Sequence, residues 1–196
     1  MVMAKGAKGL VFAATILLAG CVSLGPDVPD QLIVLTAQER APAGQLGSEA
    51  SEEIVVLDPA TDRRLDVARV PVQVDASTVA YLKDATWVEK PARQFRELLA
   101  ETIRAQTGRI VMEGNDYEKP GRASLSGRLV DMGYDAGQQA VVVRYDAMLE
   151  NGDGSIRSRR FEAVIPGVRA KASAVAPALN EAANQVAGEV AAWLAE

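Results

Sequence analysis

The chain has 196 residues, with 21 Lys and Arg against 26 Asp and Glu, no histidine and one cysteine. Without histidine, and with a single thiol, neither a Ser-His-Asp nor a Cys-His triad can be built, and the usual zinc ligand sets are excluded. The acidic balance carries no nucleic-acid footprint, and no Gly-x-x-x-x-Gly-Lys-Ser/Thr phosphate loop occurs.

Lys5 and Lys8 precede an apolar run from Leu10 to Leu18, which ends in Leu18-Ala19-Gly20-Cys21. A positive n-region, a short apolar h-region and small residues before the cut make a secretory signal. The run is well short of the roughly 20 residues that a bilayer core demands. A cysteine at the first mature position turns this signal into a lipobox, so residues 1–20 are expected to be removed and Cys21 to carry acyl chains. Cys21 is the only cysteine, which leaves no partner for an intramolecular disulfide in an oxidising compartment. Removal of Lys5 and Lys8 leaves 19 basic against 26 acidic residues, a net charge of −7. Such a surface gains nothing from anionic headgroups, so attachment should rest on the acyl chains. Val22 stands where an Asp would mark inner-membrane retention, and this points to the outer membrane, facing the periplasm.

Residues 21–30 contain Gly25-Pro26-Asp27 and Val28-Pro29-Asp30 and read as a lipidated tether. Residues 31–196 are the right size for a single domain. Gln31 to Leu35 suits a first buried strand, and a Gly-, Ser- and Ala-rich loop follows over 41–53. Ile54 to Leu57 and Leu65 to Val74 are the next strands. Pro71 cannot donate to a ladder, so the latter is expected at a sheet edge or entering the sheet there. Residues 76–88 bring Tyr81 and Trp87 ahead of a helix that Pro91 opens and Gly108 stops, with Phe95, Leu98, Leu99, Thr102 and Ile103 on one face. Arg109 to Glu113 forms a strand and residues 115–122 a polar loop. Leu125, Gly127 and Leu129 alternate in the next strand. Asn151-Gly152-Asp153-Gly154 then joins Ala140–Glu150 to Ser155–Val164 as an antiparallel pair. A second amphipathic helix runs from about Ser173 to Glu196, with Leu179, Ala183, Val186, Val190, Trp193 and Leu194 on its stripe. This order predicts an α/β fold: a mixed, largely antiparallel sheet with two amphipathic helices on one face.

The lipobox at Cys21, the early strand Leu32-Ile33-Val34-Leu35, the run Tyr81-Leu82-Lys83-Asp84-Ala85-Thr86-Trp87-Val88 and the helix with Phe95, Leu98 and Leu99 together carry a resemblance. The chain resembles the ABC-type transport auxiliary lipoproteins, which include the paraquat-inducible protein C group. The likeness covers most of the mature chain and is poor between residues 36 and 65. It implies a non-catalytic outer-membrane partner of a periplasmic MCE-domain protein, which works with an ABC permease and ATPase to move lipid between membranes. The ATPase is then another chain, in keeping with the missing phosphate loop. No cofactor or metal is implied, while phospholipid binding and homo-oligomerisation stay open.

Tyr81 and Trp87 are the candidate partner-binding residues, because aromatics are enriched at interface hot spots. The competing reading packs them between helix and sheet, and Trp193 favours the core more strongly still. A groove between helices and sheet that receives an acyl chain has the same periodicity as a filled core. Two other functions fit the same sequence. One is a structural or envelope-assembly lipoprotein bound to another outer-membrane protein. The other is a carboxylate-dependent hydrolase, which needs two acids converging in a cleft with displaced pKa values.

Overall fold

The computed structural model describes residues 31–44, 53–117 and 121–196. The signal at 1–20, Cys21, the tether to residue 30 and most of the loop expected at 41–53 lie outside the described residues. Seven strands and two α-helices follow in chain order: β1 (Glu53–Val56), β2 (Arg69–Gln73), β3 (Val79–Thr86), α1 (Pro91–Thr107), β4 (Ile110–Glu113), β5 (Ala123–Asp135), β6 (Ala140–Glu150), β7 (Ile156–Ile165) and α2 (Ala172–Leu194).

The 13-residue β5 organises the sheet. One of its sides pairs antiparallel with β6 along the whole strand, and β6 pairs in turn with β7. The other side is shared by two short parallel strands, β1 against residues 123–125 and β2 against 134–135. Between them residues 57–60 follow the same side, with the Ala60 N–H donating to the Gly127 carbonyl at 2.9 Å. Beyond these strands β4 adds parallel to β1 and β3 antiparallel to β2. The two longest ladders are antiparallel, as expected of a mixed, largely antiparallel sheet.

Both helices cover the same face. Along β6, Val141, Val143, Tyr145, Ala147 and Leu149 are buried beneath them, and the alternate residues Arg144, Asp146 and Met148 face the other way, as the period of two dictates. In β5 the register slips between Leu129 and Asp131. This bulge inserts one residue, so Leu129 and Met132 both reach the core although an odd number of bonds separates them. Helix α1 buries Phe95, Leu98, Leu99 and Ile103 and ends where Gly108 adopts a left-handed conformation at φ 69°, its N–H returning to the Arg104 carbonyl. The ring of Phe95 meets that of Tyr145 edge-on at 5.2 Å, joining α1 to the sheet.

Three expectations are corrected. Leu32–Leu35 is not a buried strand. It makes one parallel bridge, Ile33 to Trp87, and leaves Leu32 and Val34 about half exposed. Its backbone pairs through Ile33 alone, with Thr86 at the end of β3 and Val88 just past it. The strand holding Pro71 is internal, not at an edge, for β2 lies between β3 and β5. Pro71 is tolerated there because the β3 ladder slips between Arg69 and Pro71 and the β5 ladder begins only at Val72. Residues 79–86, assigned no element from sequence, form the strand β3.

Candidate functional site

Trp87 follows β3 directly and is 1% exposed, packed in the core with its indole N–H lacking a hydrogen-bond partner among the described residues. It presents no surface to a partner, so the packing alternative describes it. Tyr81 is half-buried on β3. The Arg69 guanidinium sits over its ring at 4.6 Å, and its hydroxyl lies 3.5 Å from the Arg64 carbonyl. The two aromatics therefore do not form one site. Trp193 is also buried, tilted against Phe161 at 5.7 Å. Cys21 lies outside the described residues.

Arg64, beneath Tyr81, belongs to the uncovered face of the sheet. Its Nη2 donates to the Val130 carbonyl at 2.6 Å and to Asp131 at 2.8 Å, and its Nε donates to Asp62 at 2.9 Å. Burial works against its charge, but Asp62 and Asp131 outweigh that and raise its pKa. Asp131 also accepts from Arg144, which reaches Glu162 on β7. A second row runs parallel to the first, with Arg160 gripping Asp146 through two bonds of 2.5 and 2.6 Å. The open face is thus a set of cross-strand ion pairs, the side-chain pairing expected of opposed residues in antiparallel strands.

At one end of this face, a cleft of about 520 Å³ lies between β2 and the β5–β6 turn, lined by Arg64, Gln73, Asp75, Asp131, Asp135 and Arg144 among others. Its acids are all engaged: Asp131 by the two arginines, Asp75 by the Ser77 N–H at 2.8 Å, and Asp135 by Gln138 at 2.9 Å. A general acid needs a carboxyl pKa raised toward neutrality. The displaced carboxyl groups here go the other way: hydrogen bonds from Ser77, Arg160 and Ser155 hold Asp75, Asp146 and Asp153 below the ordinary carboxylate range. Among the described residues no group of three or more metal-ligating side chains is gathered, and no helix is long and apolar enough to cross a membrane.

The helical face carries a feature the sequence did not disclose. Residues 33–41 run as an extended strap along the groove between α1 and α2, with Ile33, Leu35 and Ala37 turned inward. Helix side chains hold its backbone. Gln94 accepts from the Leu35 N–H at 3.0 Å, Asn180 from Thr36 at 2.7 Å, and Asn184 from Gln38 at 2.8 Å. The Asn184 amide also donates to the Thr36 carbonyl at 2.9 Å.

A family model, described as the ABC-type transport auxiliary lipoprotein component, matches residues 34–191, from the strap to the last turns of α2. The chain belongs to this family. No curated protein matches the sequence. A crystal structure of a Xanthomonas campestris protein of family DUF330 is similar to this fold with a TM-score of 0.67 at 19% identity, over 84% of this chain and 94% of that one. A second crystal structure, of an uncharacterised protein, gives 0.63 at 13% identity, over 84% of this chain and 99% of that one. At such identities these likenesses establish the sheet-and-two-helix fold and nothing about activity.

Proposed function

We propose that this chain is the non-catalytic, lipid-anchored component of an ABC/MCE-type lipid transport system. It sits on the periplasmic side of the outer membrane and docks the MCE-domain protein that works with the ABC permease and ATPase. The family match over residues 34–191 carries the reading. The lipobox ending at Cys21 and the residue Val22 support the anchor and its membrane. Engagement of every acid in the open-face cleft supports a binding role over hydrolysis. The half-buried Tyr81, stacked under Arg69, remains the proposed partner contact, and Trp87 supports its strand from within.

The test is crosslinking of the natively lipidated protein in whole envelopes, with mass spectrometry of what it captures. Recovery of an MCE-domain protein or its permease is the expected outcome. Capture of barrel-assembly or cell-wall proteins alone, at good labelling efficiency, would replace this reading with that of an envelope-assembly lipoprotein. In the same cells Cys21→Ala should move the protein from the outer-membrane fraction into the soluble or unprocessed fraction, and retention with the outer membrane would refute the lipid anchor.

A further inference from the structure

The strap fills only part of the groove it lies in. From Leu35 to Gln38 it is held by Gln94, Asn180 and Asn184, and the chain then leaves across α1, where the Ala41 N–H meets the Glu101 carboxylate at 3.0 Å. Farther along the same groove lies a slot of about 340 Å³, bordered by Thr102 and Gln106 of α1 and by Gln185 and Gly188 of α2. Gly188 lines it without a side chain, and a Cβ there would stand in ordinary contact with the Gln106 amide nitrogen, 3.6 Å away. Exposed Glu39 and Glu189 stand at its rim.

Three observations bear on what the slot takes. The neighbouring stretch of groove already binds an extended backbone through Asn and Gln side chains, and Gln106 and Gln185 line the slot beside the last of these clasps, Asn184. Thr102 is 4% exposed, and its hydroxyl finds no hydrogen-bond partner among the described residues. A buried hydroxyl left unpaired is unfavourable, and a helical Thr has two accessible χ1 rotamers with which to meet an incoming group. The rim acids supply negative potential, which suits a cationic side chain.

We infer that the slot is a docking site for an extended peptide segment of a partner protein. Gln106, Gln185 and the Thr102 hydroxyl bind its backbone, and Glu39 and Glu189 receive a Lys or Arg side chain. The inference rests on the partner-docking reading only for the source of the segment.

The full chain in detergent micelles, labelled for amide NMR, is titrated with an acetylated and amidated six-residue peptide of alternating serine and lysine. The serine–glutamate counterpart is titrated in parallel. The lysine peptide should shift the amides of Thr102, Gln106 and Gly188 and bind at least tenfold more tightly than the glutamate peptide. Gly188→Leu, which puts a side chain into the slot, and Thr102→Val should each weaken it at least fivefold. Thr102→Val should do so with an unchanged or raised melting temperature, because it removes an unpaired hydroxyl. Equal binding of the two peptides, shifts confined to other faces, or unaltered affinity in Thr102→Val would overturn the site. Slot shifts that appear only after residues 45–52 are replaced by a Gly-Ser linker would assign the slot to the chain's own loop, and so overturn a partner segment. Crosslinking that finds no MCE-domain protein bears on the partner's identity alone, and the titration bears on the slot alone.

Discussion

Trp87→Phe separates packing from recognition at the residue that joins the strap, β3 and α1. Truncation to Ala empties a site that is 1% exposed and should cost about 3–5 kcal/mol. Phe is different. It gives up two ring carbons, about 1.6 kcal/mol at about 0.8 kcal/mol for each buried carbon. It also removes the indole N–H, which has no partner among the described residues and whose burial costs about 1–3 kcal/mol. The two effects oppose each other, so Trp87→Phe should lie within about 1 kcal/mol of the parent in urea denaturation followed by far-UV circular dichroism. Capture of the proposed MCE-domain partner should be unchanged. A loss of 3 kcal/mol or more in Trp87→Phe would show that the N–H is bonded and valuable. Lost capture at parental stability would show that Trp87 acts in recognition, and either result refutes the reasoning.

Tyr81→Ala should cost less than about 1.5 kcal/mol, since the half-buried ring gives up little beyond its Arg69 contact. It should nonetheless weaken partner crosslinking, and full crosslinking removes Tyr81 from the contact face. Gly127→Ala drives a Cβ onto the Asp146 carbonyl and to 2.6 Å from the Tyr145 hydroxyl oxygen. The resulting overpacking should cost about 1–3 kcal/mol in thermal denaturation, and a neutral result would show that β5 and β6 separate freely there. Arg160 lowers the Asp146 pKa in the folded state, so the stability this pair contributes is present above the unfolded value near 4 and is lost as pH falls through the lower folded value. Acid titration of stability below about pH 4 should therefore be shallower in Asp146→Asn, and an unchanged slope would deny the pair any contribution. Asn184→Ala removes the bonds to the Gln38 N–H and the Thr36 carbonyl. It should raise hydrogen exchange at residues 36–38 roughly tenfold, with core amides of α2 unaffected, and equal exchange would show that the Asn184 bonds contribute nothing to holding the strap.

Local signals were legible where they also specified their own partner. Asn151-Gly152-Asp153-Gly154 specifies a hairpin, and there the Asn151 N–H closes onto the Ser155 carbonyl while Gly154 takes φ 82°. Pro91 and Gly108 bound α1 as read from the sequence, and the α2 stripe buries Leu179, Ala183, Val186 and Val190. Apolar content misled at Leu32–Leu35, because burial there depends on whether a neighbouring edge is free, and only Ile33 finds one. The strand β3 stayed hidden for the opposite reason: as an outer strand it buries just Leu82 and Ala85, leaving no alternating pattern to read. The backbone clasps were out of reach, since Asn180 and Asn184 meet residues 144 and 146 positions earlier in the chain. A half-buried Asn on a helix carries no mark of the segment it will hold.

The strap gives these pieces one geometric order. Gln31, the first described residue, shares the lining of a pocket with Ser173 in the first turn of α2, so the strap starts at that end of the helix. The slot lies at Gln185, twelve residues farther along α2, or about 18 Å at 1.5 Å per residue. Parallel alignment of strap and helix, fixed by Thr36 against Asn180 and Gln38 against Asn184, therefore displaces the slot from the start of the strap along the helix axis. The strap is first fixed at Ile33, whose N–H donates to the Thr86 carbonyl at 2.8 Å and whose carbonyl accepts from the Val88 N–H at 3.0 Å. Those two bonds fix the register of the strap before it reaches the clasps at Asn180 and Asn184.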